Sequence, residues 1–324
     1  MYKQFFGLKE NPFNVNPDPH FLYLTQHAQE ALACLTYGIE TRKGFILLTG
    51  EVGTGKTTLI NKLLEWLHNE QVSTAFVFNP RLSVTQFFDF MMADFGIPCE
   101  SHQKGHMLMK LNQWLLERYR AGERAVLVVD EAQNLSPQML EEIRLLTNLE
   151  TSTEKLLQII LAGQPELQQK LNQPQLRQLR QRITLRAKTC PLTVDETRGY
   201  IEERLRIGGA ENTGIFSPEA IASVHRFARG IPRVINLLCE HALVGSFVEQ
   251  KNPVPAAIVD EVAHDFELHT IDPMAHEPQP AGFPTLSGTA GEAPLVDSLV
   301  QALTKVVERI NQREAAELER KGKS

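Results

Sequence analysis

Hydrophobic positions fall into two rhythms along this chain. In the first 190 residues, short uninterrupted apolar runs at 45–49, 74–78, 126–130 and 157–162, with a weaker one at 183–187, alternate with longer stretches of helical spacing. Continuous runs of Val, Ile, Leu and Phe predict strands covered on both faces, as in a parallel sheet between helices. The intervening patterns predict helices at 26–43, 56–70, 84–96, 104–121 and 137–148. Strand and helix in alternation predict a doubly wound α/β domain over residues 1–190.

After Pro191 the strand pattern stops. "LTVDETRGYIEERLRIGG" places Thr193 and Glu196 at the spacing of a capping box, ahead of an apolar stripe and a Gly-Gly stop. "FSPEAIASVHRFARG" opens with a Ser cap and a proline at the first helical position. Two further helical patterns, "PRVINLLCEHALVGSFVEQ" and "VPAAIVDEVAHDFEL", complete a small all-helical domain over 191–271. Residues 272–294 carry prolines 273, 278, 280, 284 and 294 among few large apolar residues, a composition that predicts a flexible linker. A last helix is expected within 295–324. Its apolar positions Val296, Leu299, Leu303, Val306 and Ile310 are spaced 3, 4, 3, 4, a narrow coiled-coil-type stripe suited to docking on a partner protein or to folding back on the helical domain of its own chain.

Composition removes several classes of function. With 42% hydrophobic and 22% charged residues the chain has enough apolar content for a sizeable core. A net charge of −6 gives no global attraction to nucleic acid or anionic membranes. No apolar run approaches the roughly 18 residues of a membrane span, and the N-terminus lacks a secretory pattern. Four dispersed cysteines without a CxxC pair suit a reducing compartment, so a cytoplasmic location is expected, with any membrane association through partners. His102 and His106 lie four apart in the polar stretch "SHQKGH", which reads as a surface turn rather than a metal pair.

The chemistry is concentrated in "GEVGTGKTTL". Gly50, Gly55, Lys56 and Thr57 meet the phosphate-loop pattern G-x4-G-K-[ST], after the strand "FILLT" and at the start of a helix. Backbone N–H groups of Gly50, Glu51, Val52, Gly53, Thr54, Gly55, Lys56, Thr57 and Thr58 are thus expected to wrap nucleotide phosphates. Lys56 would reach the β- and γ-phosphates and the Thr57 hydroxyl would ligate Mg²⁺. "AVLVVDEAQNL" ends a strand in Asp130, a carboxylate placed for the Mg²⁺ shell, followed by Glu131, placed to polarise an attacking water. Gln164, after "LLQIILAG", is a candidate phosphate sensor or simply a turn residue. "LRQLRQRITLRAK" holds Arg177, Arg180, Arg182, Arg186 and Lys188 without an acid, either a solvated face or a source of a transition-state arginine. Arg233 in "GIPRV" begins a helix that could close over the nucleotide.

Together with "FFGLKENPFNVNPDPHFLYLT", "VLVVDEAQNLSPQMLEEIRLLTNLE", "IILAGQPEL" and "GIPRVINLLCEHAL", these motifs resemble the AAA+ ATPases of the general secretion pathway protein A (ExeA-like) type, including relatives from exopolysaccharide and exosortase clusters. The resemblance covers about residues 1–268. It implies a P-loop AAA+ fold: a three-layer αβα domain with a parallel sheet, then a small helical lid and a flexible tail ending in a helix. It also implies ATP bound with Mg²⁺ where subunits of a homo-oligomeric ring meet. By this resemblance Asp130 and Glu131 are the Walker B pair, Gln164 stands at sensor 1, Arg182 or Arg180 is the arginine finger, and Arg233 is the sensor 2 residue. Phe13 would lie at the adenine side.

Family members acting on the cell envelope continue into a membrane span and a peptidoglycan-binding module. This sequence shows neither, so an envelope link is expected to run through partners. The implied function is an ATPase that drives or regulates assembly or export at a secretion, pilus or polysaccharide system. The transposition regulators of the TniB and TnsC type have a similar core, and the Arg177–Lys188 run keeps a DNA-binding alternative open.

Overall fold

The five aliphatic runs form five strands, β1 Phe45–Thr49, β2 Ser73–Val77, β3 Ala125–Val129, β4 Leu157–Gly163 and β5 Ile183–Lys188. In the computed structural model, residues 2–268 are described except 15, 17, 79–81 and 99. The expected linker at 272–294 and the terminal helix within 295–324 lie outside the described residues. The strands make one sheet in the order β2-β3-β4-β1-β5, every pair parallel. Side chains alternate across a strand with period two, and the core follows that rule. Phe45, Leu47, Val77, Leu127, Val129, Ile159 and Leu161 enter one apolar cluster, whereas Ile46, Leu48, Val126, Val128, Ile160 and Ala162 enter another.

Helices cover both faces. α2 (Gln26–Glu40) and α3 (Lys56–Asn69) close one side through Leu35, Ile39, Leu59 and Leu63. The other side is closed by α4 (Val84–Asp94), α5 (Lys104–Arg120), α6 (Pro137–Leu146), α7 (Pro165–Leu171) and α8 (Arg177–Arg182). Met91 and Met92 of α4 are buried in that second cluster. The result is the expected three-layer αβα arrangement with a parallel sheet. The helix ends fall short of the apolar pattern where the backbone reverses, as after α2, where Arg42 takes φ 51°.

Contacts divide the described residues into two units. One is 24–190, and the other combines 2–23 with 191–268. The second contains α1 (Tyr2–Phe5), α9 (Val194–Ile207), α10 (Pro218–Ala228), α11 (Pro232–Val248) and α12 (Ala256–Asp265). Thr193 and Glu196 make the capping box: the Thr193 hydroxyl accepts the Glu196 N–H at 3.2 Å, and the Glu196 carboxylate accepts the Thr193 N–H at 2.8 Å. Ser217 accepts the Ala220 N–H at 3.1 Å, with Pro218 at the first helical position. The N-terminal segment, expected to belong with the sheet, instead buries Phe6, Leu8 and Phe13 in one core with Ile201, Val224, Leu238 and Val259. Burial of each such side chain stabilises by about 1.5–3 kcal/mol, which fixes the segment there. Among the described residues no helix is long and apolar enough to cross a membrane.

Candidate functional site

Parallel strands deliver their C-terminal ends to one edge of the sheet, and ligands of open α/β sheets bind outside that edge. β1 ends at Thr49 and β3 at Val129, so the loop from Gly50 and the pair Asp130 and Glu131 emerge there together. The ladder runs past the named strands on both sides: Gly50 N–H donates to Gly163 O at 3.2 Å and Asp130 N–H to Val77 O at 3.0 Å. Gly50 must lack a side chain, because a Cβ there would lie 1.9 Å from Thr189 Oγ1. Gly55, at φ 91°, turns the loop into α3, a conformation costly for other residues. Glu51 and Val52 are exposed at the loop tip, while Thr54 is buried with its hydroxyl 2.7 Å from that of Thr189. Gly53, Thr57 and Thr58 are half-buried.

Lys56 is buried at the first turn of α3, and its ammonium donates to the carbonyls of Gly50 at 2.7 Å and Glu51 at 2.9 Å. Burial pushes it below the usual lysine range, opposed by the carboxylates of Glu131, Asp130, Glu51 and Glu166. Asp130 is also buried, and burial holds its carboxyl above the usual carboxylate range. The Glu131 N–H at 2.8 Å, the Thr57 hydroxyl at 3.3 Å and the nearby Lys56 act in the opposite direction. A buried cation resting on loop carbonyls at the N-terminus of a helix suits a polyphosphate. A hydroxyl and a carboxylate oxygen side by side are hard donors of the kind Mg²⁺ takes.

Glu131 adopts φ 51°, ψ 34°. Its Oε2 accepts from the side-chain amides of Gln133 and, at 3.3 Å, Gln164. Gln164 therefore sits beside Glu131. Gln133 and Thr189 carried no role in the sequence: hydroxyl and amide partners depend on strand register, which the spacing of motifs does not encode.

The remaining candidates lie elsewhere. Arg182 ends α8 and donates to the Thr147 hydroxyl and, at 2.8 Å, to Asn148 Oδ1. It immediately precedes Ile183, which pairs with Phe45 at the start of β1. The phosphate loop follows the far end of that strand, roughly 15 Å away at about 3.3 Å per residue. Arg180 is exposed, donating to Asn172 Oδ1 at 3.3 Å. Arg233 is exposed on the first turn of α11 in the helical unit. Phe13 is fully buried there, edge-to-face with Phe216 at 6.0 Å, so no ring face is open for stacking on a base. His102 is exposed and bonds Asp89 at 2.9 Å, and among the described residues no three His, Cys, Asp or Glu side chains gather as a metal-binding group.

Residues 39–171 match the AAA domain family. The chain is 44% identical over 266 residues to general secretion pathway protein A of Aeromonas hydrophila, a match covering 82% of this chain and 48% of that protein, about half its length. Among solved structures it resembles the ORC2 protein of Aeropyrum pernix in its ADPNP–ADP complexes, with TM-score 0.60 and 16% identity over 82% of this chain and 74% of that one. It also resembles Cdc6p of Pyrobaculum aerophilum, with TM-score 0.59 and 20% identity over 76% and 70%. These two likenesses show the fold alone. The phosphate loop, the strand order and the family match agree on a P-loop fold with an AAA domain over residues 39–171, and over 82% of its length the chain is similar to general secretion pathway protein A.

Proposed function

We propose that the chain binds ATP with Mg²⁺ and hydrolyses it at sites shared between subunits of a homo-oligomer. This activity would drive or regulate assembly or export at a bacterial secretion, pilus or polysaccharide system. The observation that carries the reading is the convergence of Lys56, Thr57, Asp130 and Glu131 on one sheet edge. Lys56 exchanges its loop carbonyls for the β- and γ-phosphates. Thr57 and Asp130 would hold the Mg²⁺, which would supply positive charge against the non-bridging oxygens of the β- and γ-phosphates. Glu131 takes a proton from water as the water oxygen attacks the γ-phosphorus. The bond to the β,γ-bridging oxygen breaks, and ADP leaves with that oxygen and its electron pair.

Gln164 senses the γ-phosphate through its contact with Glu131. Arg182 serves a neighbouring subunit's nucleotide, since its own phosphate loop is out of reach, with Arg180 the second candidate for that task. Arg233 contributes from the helical unit, and Phe13 supports the adenine side by anchoring its segment. The Val296–Ile310 stripe recruits a protein component of the secretion system, which keeps the ATPase in the cytoplasm or at a membrane through that partner.

Two substitutions test the chemistry. Lys56→Ala should weaken ATP binding, whereas Glu131→Gln should bind ATP and leave it uncleaved. Wild-type turnover in Glu131→Gln would sink the assignment of the base. The exposed Arg177, Arg180, Arg186 and Lys188 favour the alternative of an ATP-dependent DNA-binding regulator. Retention of duplex DNA by the full chain at physiological salt, lost on replacing these four, would decide for it.

A further inference from the structure

Glu131 holds a left-handed backbone conformation that residues with a side chain rarely adopt. Such conformations persist where the surroundings over-determine them, often at functional sites. Asp130 Oδ1 accepts the Glu131 N–H at 2.8 Å and fixes the backbone. The side chain is fixed separately. Gln133, in the short 3-10 turn Ala132–Asn134, donates its Nε2 to Glu131 Oε2. Its Oε1 accepts the backbone N–H of Gln164 at 3.1 Å. An ionised carboxylate only accepts and a backbone N–H only donates, so one orientation of the Gln133 amide alone satisfies both ends. The turn is itself pinned, because the Lys170 ammonium donates to the carbonyls of Gln133 and Leu135. Gly163 leaves the room: a Cβ there would lie 2.6 Å from Gln133 Oε1.

We propose that Gln133 is a positioning residue for hydrolysis, clamping Glu131 Oε2 so that Oε1 is the oxygen left to take the proton of the attacking water. Glu131 Oε2 is shared by two amides, Gln133 and Gln164, and among the described residues no protein group donates to Oε1. The same Gln133 amide ties this orientation to the backbone at the end of β4, so the sensor position and the base move as one. The inference rests on the reading of Glu131 as the base.

The test uses the full chain with two substitutions. Gln133→Met keeps the volume and removes both bonds. Gln133→Glu keeps the acceptor for Gln164 and removes the donor to Glu131. Both should lower kcat about 10- to 100-fold, the usual cost of losing a group that orients a functional side chain. ATP affinity should stay within roughly twofold, because no phosphate contact is touched. In a Glu131→Gln background Gln133→Met should lower turnover no further, since the base it positions is gone.

Additive losses, or a fall in ATP affinity matching the fall in kcat, would show a merely structural role and overturn the proposal. Wild-type or raised kcat in either variant would overturn it as well. If Gln133→Met does not fold, Gln133→Glu decides alone by its kcat. Undiminished turnover in Glu131→Gln by itself is a separate result: it removes the base, not the clamp.

Discussion

Lys56 in the sheet unit and Arg204 in the helical unit are both buried cations, each only 6% exposed, and their surroundings differ in kind. The Arg204 guanidinium is used up inside its own unit. It donates to the Pro12 carbonyl and, at 2.6 Å, to the Tyr200 hydroxyl, and it stacks over the rings of Phe21 at 4.7 Å and Tyr200 at 5.2 Å. Tyr200 passes the chain on to Asn236 at 2.8 Å, and Asn236 reaches the Asn14 carbonyl at 3.4 Å. Every partner belongs to the segment and helices that this network joins. Lys56 instead rests on two loop carbonyls, with the carboxylates of Asp130 and Glu131 near. Burial penalises its charge. A buried polar group that satisfies its unit holds the fold together, whereas one held at a cost marks a place for a ligand.

The sharpest test of that contrast is kinetic. The sheet unit carries the phosphate loop at one end of β1 and Arg182 beside the other, so in the proposed function Arg182 acts on the nucleotide of a second copy. Arg182→Ala should lower turnover about a thousandfold, the scale of a transition-state arginine, while ATP binding persists. Mixing it with Lys56→Ala subunits should restore part of the activity, because some interfaces then pair an intact loop with an intact arginine. No recovery, with co-assembly shown, would count against the shared site.

A smaller effect separates the two cations themselves. Arg204→Met leaves the Pro12 carbonyl and the Tyr200 hydroxyl without their donor, and should cost about 3 kcal/mol, the scale of a broken buried charged network. Lys56→Met removes a charge that burial already disfavours and should change stability by less than about 1 kcal/mol. Thermal unfolding of the two variants without nucleotide measures the difference. Equal losses would mean that Lys56 is as structural as Arg204.

Much of this was legible along the chain because the signals are local. Uninterrupted runs such as "AVLVV", short and rich in β-branched residues, read as strands buried on both faces, and the order loop, helix, strand, Asp130, Glu131 points to the candidate site. The short helices α7 and α8 were not legible, since seven and six residues give too few turns for a period to show. Nor was the place of residues 2–23. Phe6, Leu8 and Phe13 have no helical or strand rhythm, and only their packing against α9–α12 shows which core they serve. Gln133 stayed hidden for a third reason: its function depends on the left-handed Glu131 and on the end of β4, 31 positions further along the chain.

The smallest predicted effect concerns Asp130, where the contrast between structural and ligand-directed groups can be read from pH. Burial holds its carboxyl above the usual range, and the hydrogen bonds from the Glu131 N–H and the Thr57 hydroxyl only offset this in part. An acid whose folded pKa is raised binds its proton more tightly when folded. The cost of its ionisation is therefore fully present above the folded pKa and disappears as pH falls to the ordinary carboxylate value. Asparagine can keep the acceptor for the Glu131 N–H, and its amide can donate to the Thr57 hydroxyl. Asp130→Asn should accordingly stabilise the nucleotide-free protein by about 1 kcal/mol at neutral pH, a gain typical of relieving a functional site. That gain should shrink as the pH approaches the carboxylate range, and stabilisation by Mg²⁺ with ATP should be lost in the same variant. If Asp130→Asn were less stable at neutral pH, its hydrogen bonds would outweigh the desolvation. Asp130 would then join Arg204 among the groups that hold the fold, and the line drawn between the two units would fail at the residue nearest the chemistry.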